Sequence, residues 1–405
     1  MPSIAAMALS LTLSQAIARA EQAGFQVRVA SADAQSAAAQ AAASRAALFP
    51  RVSFSATTSN GGITQLGMPL AQQNYVSTNV SVPLFTPNAF ETAQAAGRSA
   101  QAAELTQAQT VNDAMLSAVQ GYEGTLLAQA VYDAREITVA YEQRHLRDVN
   151  AMVKAGALPR YVSAESQAAL AQAEQSLEDA AAQRDEAMND LKVTLAFDIS
   201  APVTLTDPLQ PLALKGSEDA FLARATASRP DVLAAQRQVA SAQARIAAAR
   251  WSYVPVISAI GQTYNGGSKP SLGNHGYQVG VSASLPIIDG GDRAAAVRLA
   301  QADLARAQVV LDEVRLSAQR DVMNAWRELQ AAQHNVETAR MQQTAAAQAL
   351  RVAALRERSG KGVTLETLDA LLQDASARES LLRAIARFNV AIASAHRAAG
   401  DSAIQ

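Results

Sequence analysis

Two acidic side chains near the end of the chain, Glu366 and Asp369, have the type and spacing of a cation-attracting site. They follow the turn-like sequence SGKGVT by a few residues and lie three apart at the start of a helical pattern, so they share one helix face. Rings of such carboxylates line cation-selective constrictions. Two structural explanations stay open, because acids are also favoured in the first turn of a helix and on solvated faces.

Other reactive residue types are scattered along the sequence. The four histidines are isolated from one another, whereas a metal site needs convergent ligands: His145, His275, His334 and His396. SGKGVT lacks the first glycine and the GK[ST] ending of a phosphate-binding loop. We therefore predict no catalytic residues, no metal and no cofactor.

The composition indicates long helices packed side by side. Of the 405 residues 49% are hydrophobic but only 4% are aromatic, and alanine, the best helix former, makes up most of the difference. The absence of cysteine excludes disulfides and thiolate metal sites, and a net charge of −2 offers no basic face for nucleic acid. The first eighteen residues are uncharged but interrupted by polar residues, and we interpret them as a shortened start that leads into an ordinary helix.

Two similar sequence segments occur about half a chain apart. LFPRVSFSATTSNGG (residues 48–62) and YVPVISAIGQTYNGG (residues 253–267) align with a separation of 205 residues. Each follows an alanine- and glutamine-rich helical pattern and precedes a second alternating run, at residues 74–85 and 276–288. A period of two residues indicates strands, so each half predicts a hairpin with one apolar and one small polar face.

The predicted strands have the length of tilted transmembrane strands, about ten residues. Tyr264 and Tyr277 fit an aromatic belt at a membrane interface. Four strands cannot close a barrel, and an open sheet edge cannot face lipid, so a membrane location requires an oligomer.

Each hairpin leads into a proline-free helical pattern of some 65 residues, a length of about 100 Å. The first is predicted to begin near Asn88, with Glu91 completing a capping box, and the second near Asp292. Gly156 and Gly360 mark the stops, after which helices return to about residues 197 and 399. The proline-containing segment 197–219 between the halves is predicted to be an irregular connection.

This duplicated order, together with LTLSQAIARA at the start and SGKGVTLETLDALL near the end, resembles the TolC-like outer-membrane efflux protein family (outer membrane factors) over essentially the whole chain. The resemblance implies a mainly α fold with β. Three chains would form a trimer with one 12-stranded transmembrane β-barrel, four strands per chain, continued by a long α-helical barrel.

The resemblance implies the following division of the chain. The first half would contain equatorial and rising helices in 1–48, β-hairpin 1 in the outer membrane in 49–87, and long helical hairpin 1 in 88–196, with a periplasmic tip near 156. After an inter-repeat equatorial linker in 197–230, the second half would contain a rising helix in 231–252, β-hairpin 2 in the outer membrane in 253–291, and long helical hairpin 2 in 292–405, with a periplasmic tip near 360.

The resemblance implies that Glu366 and Asp369 form the periplasmic gate, with Glu366 where the family usually has aspartate. The tip turns would supply contacts to a periplasmic adaptor, from Lys154, Gly156, Ala157, Leu158, Pro159, Arg160, Gly360, Lys361, Gly362, Val363 and Thr364. Arg160 aligns where family members often carry an aspartate, and it could pair with Glu366 or Asp369 of a neighbouring hairpin.

The implied function is an exit duct in the outer membrane of a Gram-negative bacterium, with a long periplasmic extension. The duct would conduct small molecules passively through a gated periplasmic tunnel. Its expected partners are two other copies, a membrane fusion adaptor, an inner-membrane pump of the RND, ABC or MFS type, and outer-membrane lipid. A duct for type I protein secretion and a soluble structural coiled-coil protein are the alternatives.

Overall fold

The structure is a computed structural model that describes residues 9–59, 73–213, 216–268, 274–359 and 361–401. Within these residues the helices are α1 (Leu13–Ala23), α2 (Phe25–Ala46), α3 (Pro87–Lys154), α4 (Arg160–Thr194), α5 (Glu218–Ser228), α6 (Pro230–Trp251), α7 (Asp292–Arg358) and α8 (Thr364–Ala399). The strands are β1 (Leu9–Leu11), β2 (Arg51–Ser59), β3 (Gln73–Phe85), β4 (Val203–Leu205), β5 (Val256–Ser268) and β6 (Asn274–Ser284). The predicted order of helix, strand pair, long helix and returning helix is confirmed in both halves.

The chain divides into two compact units. One unit, called here the helical unit, contains the described residues of 1–30, 107–230 and 315–405. The other, called the sheet unit, contains those of 31–106 and 231–314. Among the described residues no helix is both long enough and apolar enough to cross a membrane.

The sheet unit is built on an antiparallel four-stranded sheet with the strand order β2-β3-β5-β6. The central pairing joins the two halves of the repeat, with Thr78 opposite Thr263. Pro83 follows the last β2 partner, Ser81, so its missing amide hydrogen leaves no gap in the pairing with β2.

The two faces of the sheet differ in character, as the alternation predicts for β2, β3 and β6. Phe54 and Val279 lie on the apolar face and are 70% and 79% exposed, whereas Ser55 and Ser77 lie on the polar face, their hydroxyl oxygens 2.7 Å apart. Tyr277 lies on the apolar face because it pairs with Thr263. Tyr264, one position further, therefore lies on the polar face, and a belt containing both tyrosines is wrong.

A short pair of strands, one of which begins at the first described residue, was not predicted from the sequence. Residues Leu9–Leu11 form β1 and pair in parallel with β4, so the segment after residue 197 contains a strand and the helix α5, and it is not wholly irregular. Thr12 then caps α1, with its side chain accepting from the amide of Gln15 while Gln15 accepts from the amide of Thr12. This reciprocal capping box makes the chain change from strand to helix within two residues.

The start of α3 also differs from the prediction. The helix begins at Pro87, where a proline loses nothing because the first amide has no partner within the helix. Asn88 is inside the helix, and its side-chain oxygen accepts from the amide of Ala89, so Asn88 is not the cap of a box completed by Glu91. The second long helix begins at Asp292, as predicted.

Among the described residues, two clusters of buried side chains form the core of the helical unit. Tyr122 and Val119 of α3 are fully buried, and Tyr122 packs with Leu11, Leu191 and Leu195. The second cluster surrounds the buried ring of Phe221 in α5. It contains residues of α7 and α8, among them Val322, Leu329, Phe388, Ile392 and Ala395.

The end of α8 is fixed against the segment before α6. Gly400 has φ +83, which lets the amide of Asp401 donate to the carbonyl of His396 over 3.0 Å. Arg229, which is 3% exposed, donates to the carbonyl of Ala398 and pairs with Asp321 at 3.0 Å. A Cβ on Gly400 would lie 2.9 Å from the Cα of Arg229, so only glycine fits the space.

We predict that Gly400→Ala lowers the stability by about 2 kcal/mol or more, because it combines left-handed strain with a backbone collision. Gly156→Ala is the matched control: Gly156 also has a positive φ, of +74, but among the described residues no atom beyond its own chain neighbours lies within 4 Å of its added Cβ. Thermal melting followed by circular dichroism should show a clearly larger fall in Tm for Gly400→Ala. Equal falls would contradict the role of the contact with Arg229.

Candidate functional site

The first predicted tip turn joins α3 to α4 through a glycine-terminated helix end. The amide of Gly156 donates to Val153 over 3.1 Å, and that of Ala157 donates to Met152 over 2.9 Å. These two bonds form a Schellman motif, which requires a left-handed residue at Gly156. The prediction that a helix stops at Gly156 is therefore confirmed.

The second predicted tip turn joins α7 to α8 with similar bonding. The amide of Lys361 donates to the carbonyl of Arg356 over 2.9 Å, the counterpart of the Ala157–Met152 bond 204 residues earlier. Gly362 donates to the same carbonyl over 3.1 Å. Gly360 lies outside the described residues.

Both returning helices begin without a side-chain cap. Pro159 precedes α4 and Val363 precedes α8, each in an extended conformation and neither making a side-chain bond to the helix. Lys154, Ala157, Arg160 and Lys361 are exposed, and Leu158 is half-buried. Thr364 is the first residue of α8.

Glu366 and Asp369 lie in the first turns of α8, and both are exposed. The buried face of the same helix begins at Thr367 and continues through Ala370 and Asp374. The carboxylate of Glu366 is 3.6 Å from the guanidinium of Arg356 within the same helical hairpin. The geometry thus leaves the acidic pair accessible. This accessibility fits the gate hypothesis. It also fits the alternative explanation, that acidic residues are favoured in the first turn of a helix.

The helical hairpins around these turns are held by specific polar contacts. Ser163 of α4 donates to Asn150 of α3 over 2.6 Å, close to the first turn. Arg135 of α3 pairs with Glu379 of α8 at 2.6 Å. Arg397 of α8 pairs with Asp113 of α3, also at 2.6 Å, so the two helices run antiparallel. These contacts set the position of α8, and therefore of its acidic pair, relative to α3.

A second group of acidic residues was not predicted from the sequence. Glu123 of α3 is 3% exposed, and its Oε2 has no hydrogen-bond partner among the described residues. Burial raises the pKa of Glu123 to about 7; a hydrogen bond to Asn389 opposes this shift and the charge of Asp207 adds to it. An acid within a helical pattern gives no signal in the sequence for such burial.

The residues around Glu123 hold the connecting segment, defined as residues 206–213, against the helices. Asp207 accepts from the amide of Leu13 over 2.7 Å and lies 3.0 Å from the hydroxyl of Tyr122. Asn389 of α8 accepts from the amide of Leu212 over 2.9 Å and donates to the carbonyl of Gln210 over 3.0 Å. Burial also raises the pKa of the Tyr122 phenol.

Elsewhere in the helical unit, burial raises the pKa of Glu142, a residue that is 2% exposed. Within the described part of the chain, no three histidine, aspartate or glutamate side chains come together in a way that could hold a metal ion.

We predict that Glu366→Gln changes the free energy of unfolding by no more than about 0.5 kcal/mol, because its pair with Arg356 is exposed on both sides. Asp374→Asn provides the contrast: Asp374 is 3% exposed and pairs with Arg378 at 2.7 Å. We expect that substitution to cost at least about 1 kcal/mol. Denaturant unfolding measures both values, and a large loss for Glu366→Gln would make Glu366 a structural residue.

We predict that Glu123→Gln stabilises the protein above pH 7 but not near pH 4.5. The folded protein keeps the Glu123 proton up to about pH 7, whereas the unfolded chain releases it near its ordinary pKa of 4.5. The wild-type protein therefore loses up to about 3 kcal/mol as the pH rises between these values, and glutamine avoids that loss. Melting curves at pH 5 and pH 8 check this. A variant that is less stable than wild type at pH 8 would contradict it.

Comparison with known proteins identifies the fold. The structure matches that of the Campylobacter jejuni CmeC outer membrane channel with a TM-score of 0.83 and 18% identity, covering 96% of this chain and 85% of that one. It matches the open state of the Neisseria gonorrhoeae MtrE outer membrane channel with a TM-score of 0.81 and 22% identity, covering 96% of this chain and 89% of that one.

Comparison of the amino-acid sequence agrees with these structural matches. Protein CyaE of Bordetella pertussis is 30% identical over 298 residues, which span 71% of this chain and 62% of CyaE. The outer membrane efflux protein family matches residues 16–196 and 221–400, and so includes both halves of the internal repeat. The predicted fold resemblance is thereby confirmed, and the chain belongs to the outer membrane efflux protein family.

Proposed function

We propose that three copies of this chain form an outer-membrane exit duct, whose sheets close into one twelve-stranded barrel and whose helices form a tunnel on the periplasmic side. The observation that carries this proposal is the four-stranded sheet. Its outer strands, β2 and β6, each pair with one described strand, so each has an edge open to another copy. Closure of such edges is what a sheet in lipid requires.

The two faces of the sheet support the same proposal. Val52, Phe54, Val279 and Val281 of the outer strands are 69–79% exposed on the apolar face, where lipid would cover them. The opposite face carries small polar residues such as Ser55, which suit a water-filled lumen. An apolar face of this extent would be costly to leave in water.

In this duct Glu366 and Asp369 would form a gate at the periplasmic end. Three copies would bring six carboxylates around one axis, attracting cations and narrowing the passage. Transport through the duct would be passive conduction, with energy supplied by an inner-membrane pump of the RND, ABC or MFS type. Opening would follow docking of a periplasmic adaptor.

The tip turns offer a surface for that adaptor. Val363 is 62% exposed beside the second turn, and Met152 and Tyr161 are 47% and 63% exposed beside the first. Exposed apolar side chains next to Lys154 and Lys361 give each turn both apolar and charged contacts for a protein partner.

We predict that the purified protein is a trimer by native mass spectrometry in detergent and conducts ions in a planar lipid bilayer. The Glu366→Gln/Asp369→Asn double variant should lose cation selectivity several-fold, because the carboxylate rings would be neutral. Glu186→Gln, which removes an exposed acid of α4 far from the turns, serves as the control and should conduct as wild type does.

The outcomes separate the parts of the proposal. A trimer whose selectivity ignores the double substitution would keep the duct and reject these gate residues. A monomer that remains soluble without detergent would reject the duct and support a soluble coiled-coil protein.

A further inference from the structure

The helical unit contains a cavity of about 510 Å³ beside the buried Glu123. Its walls come from the start of α1, from α3 and from the connecting segment 206–213. This volume lies within the usual range for small-molecule sites, about 300–1,000 Å³. Glu123 and Asp207 both line the cavity, and Oε2 of Glu123 is enclosed without a hydrogen-bond partner among the described residues.

The charged residues that line the cavity are all acidic. Glu123 and Asp207 both line it, while none of the described lining residues is lysine, arginine or histidine. Arg19, the basic residue of α1, donates instead to the carbonyls of Leu195 and Ala196 and stacks on Phe197. An occupant with a positive charge would therefore meet uncompensated carboxylate, and an anion would be repelled.

The two carboxylates differ in how much bonding capacity they have left. Asp207 already accepts a hydrogen bond from the amide of Leu13 and contacts the hydroxyl of Tyr122. Glu123 has a hydrogen bond with Asn389, but its Oε2 has no partner among the described residues. A buried carboxylate oxygen without a donor is costly, and a bound cation with N–H groups removes that cost. Glu123 is thus the carboxylate with bonding capacity left for a ligand, and Asp207 adds negative potential.

The rest of the wall selects for an apolar body. Leu13, Ile17, Leu126, Pro208 and Leu212 line the cavity together with a few hydroxyl and amide groups. An inorganic ion would leave this apolar surface empty, and three or more convergent acidic or histidine ligands for a metal are lacking among the described residues.

We propose that this cavity binds an organic ammonium compound, with its charged nitrogen at the carboxylate of Glu123 and its hydrocarbon part against α1, α3 and the connecting segment. The site lies in the helical unit and does not depend on the gate at Glu366 and Asp369. The ligand would also hold the connecting segment in place, because residues 207–213 form one of its walls.

The test is titration calorimetry with benzylammonium as the probe, on the full chain in a non-ionic detergent at pH 8. Wild-type protein should bind benzylammonium at least about tenfold more tightly than Glu123→Gln, because the variant lacks the charge-assisted bond. Benzyl alcohol, which has the ring without the charge, and methylammonium, which has the charge without the ring, should both bind more weakly than benzylammonium. Asp219→Asn, an exposed acid of α5, is the control and should bind as wild type does.

Two further measurements keep the test decisive if Glu123→Gln alters the fold. Ser14→Trp places a bulky ring at the exposed edge of the cavity without changing a carboxylate, and it should also weaken binding. Binding to wild type should weaken from pH 8 to pH 6, as Glu123, which faces Asp207 and Asn389, takes up a proton. The proposal is overturned if wild type does not bind benzylammonium, if benzyl alcohol binds equally well, or if Glu123→Gln and Ser14→Trp both bind as tightly as wild type.

Discussion

The requirement that backbone amide and carbonyl groups be paired governs this fold more than any side-chain contact does. The helices satisfy it internally, and the sheet satisfies it between strands, with β3 and β5 joining the two halves of the repeat at the centre. The outer strands β2 and β6 each keep one edge without a partner strand among the described residues. Duplication of a strand pair doubles the number of strands in the sheet but leaves the number of edges at two.

Much of this architecture could be predicted from the sequence because its signals are local. Alternation in residues 74–85 and the glycine at 156 each determine the backbone within a few positions. The pairing of β1 with β4 could not be predicted, because three-residue strands almost two hundred residues apart carry too little pattern. Tyr264 shows a related limit: whether a tyrosine lies on the apolar or the polar face of the sheet depends on its exact position in the strand, and one residue decides it.

The acidic residues show the same division between local and non-local information. Glu366 and Asp369 were found from spacing next to a turn, and the structure places both in exposed positions, where an acid needs no special environment. Glu123 looked like an ordinary helix acid, and its burial is created by a segment that returns from residues 206–213 and by Asn389 of α8. A sequence can indicate which side chains are present at a helix surface, but the elements that later cover that surface come from elsewhere in the chain.

The two ion pairs between α3 and α8 have a mechanical consequence. Arg135–Glu379 and Asp113–Arg397 hold the helices at two points separated by 18 residues of α8 and 22 residues of α3. Sliding one helix along the other would break both pairs together, so the clamped stretch resists shear. Residues 364–378 of α8 lie outside this clamped stretch, and the buried side chains of Thr367, Ala370 and Asp374 pack them within the fold. A displacement of Glu366 and Asp369 relative to the clamped stretch therefore requires α8 to bend, not to slide.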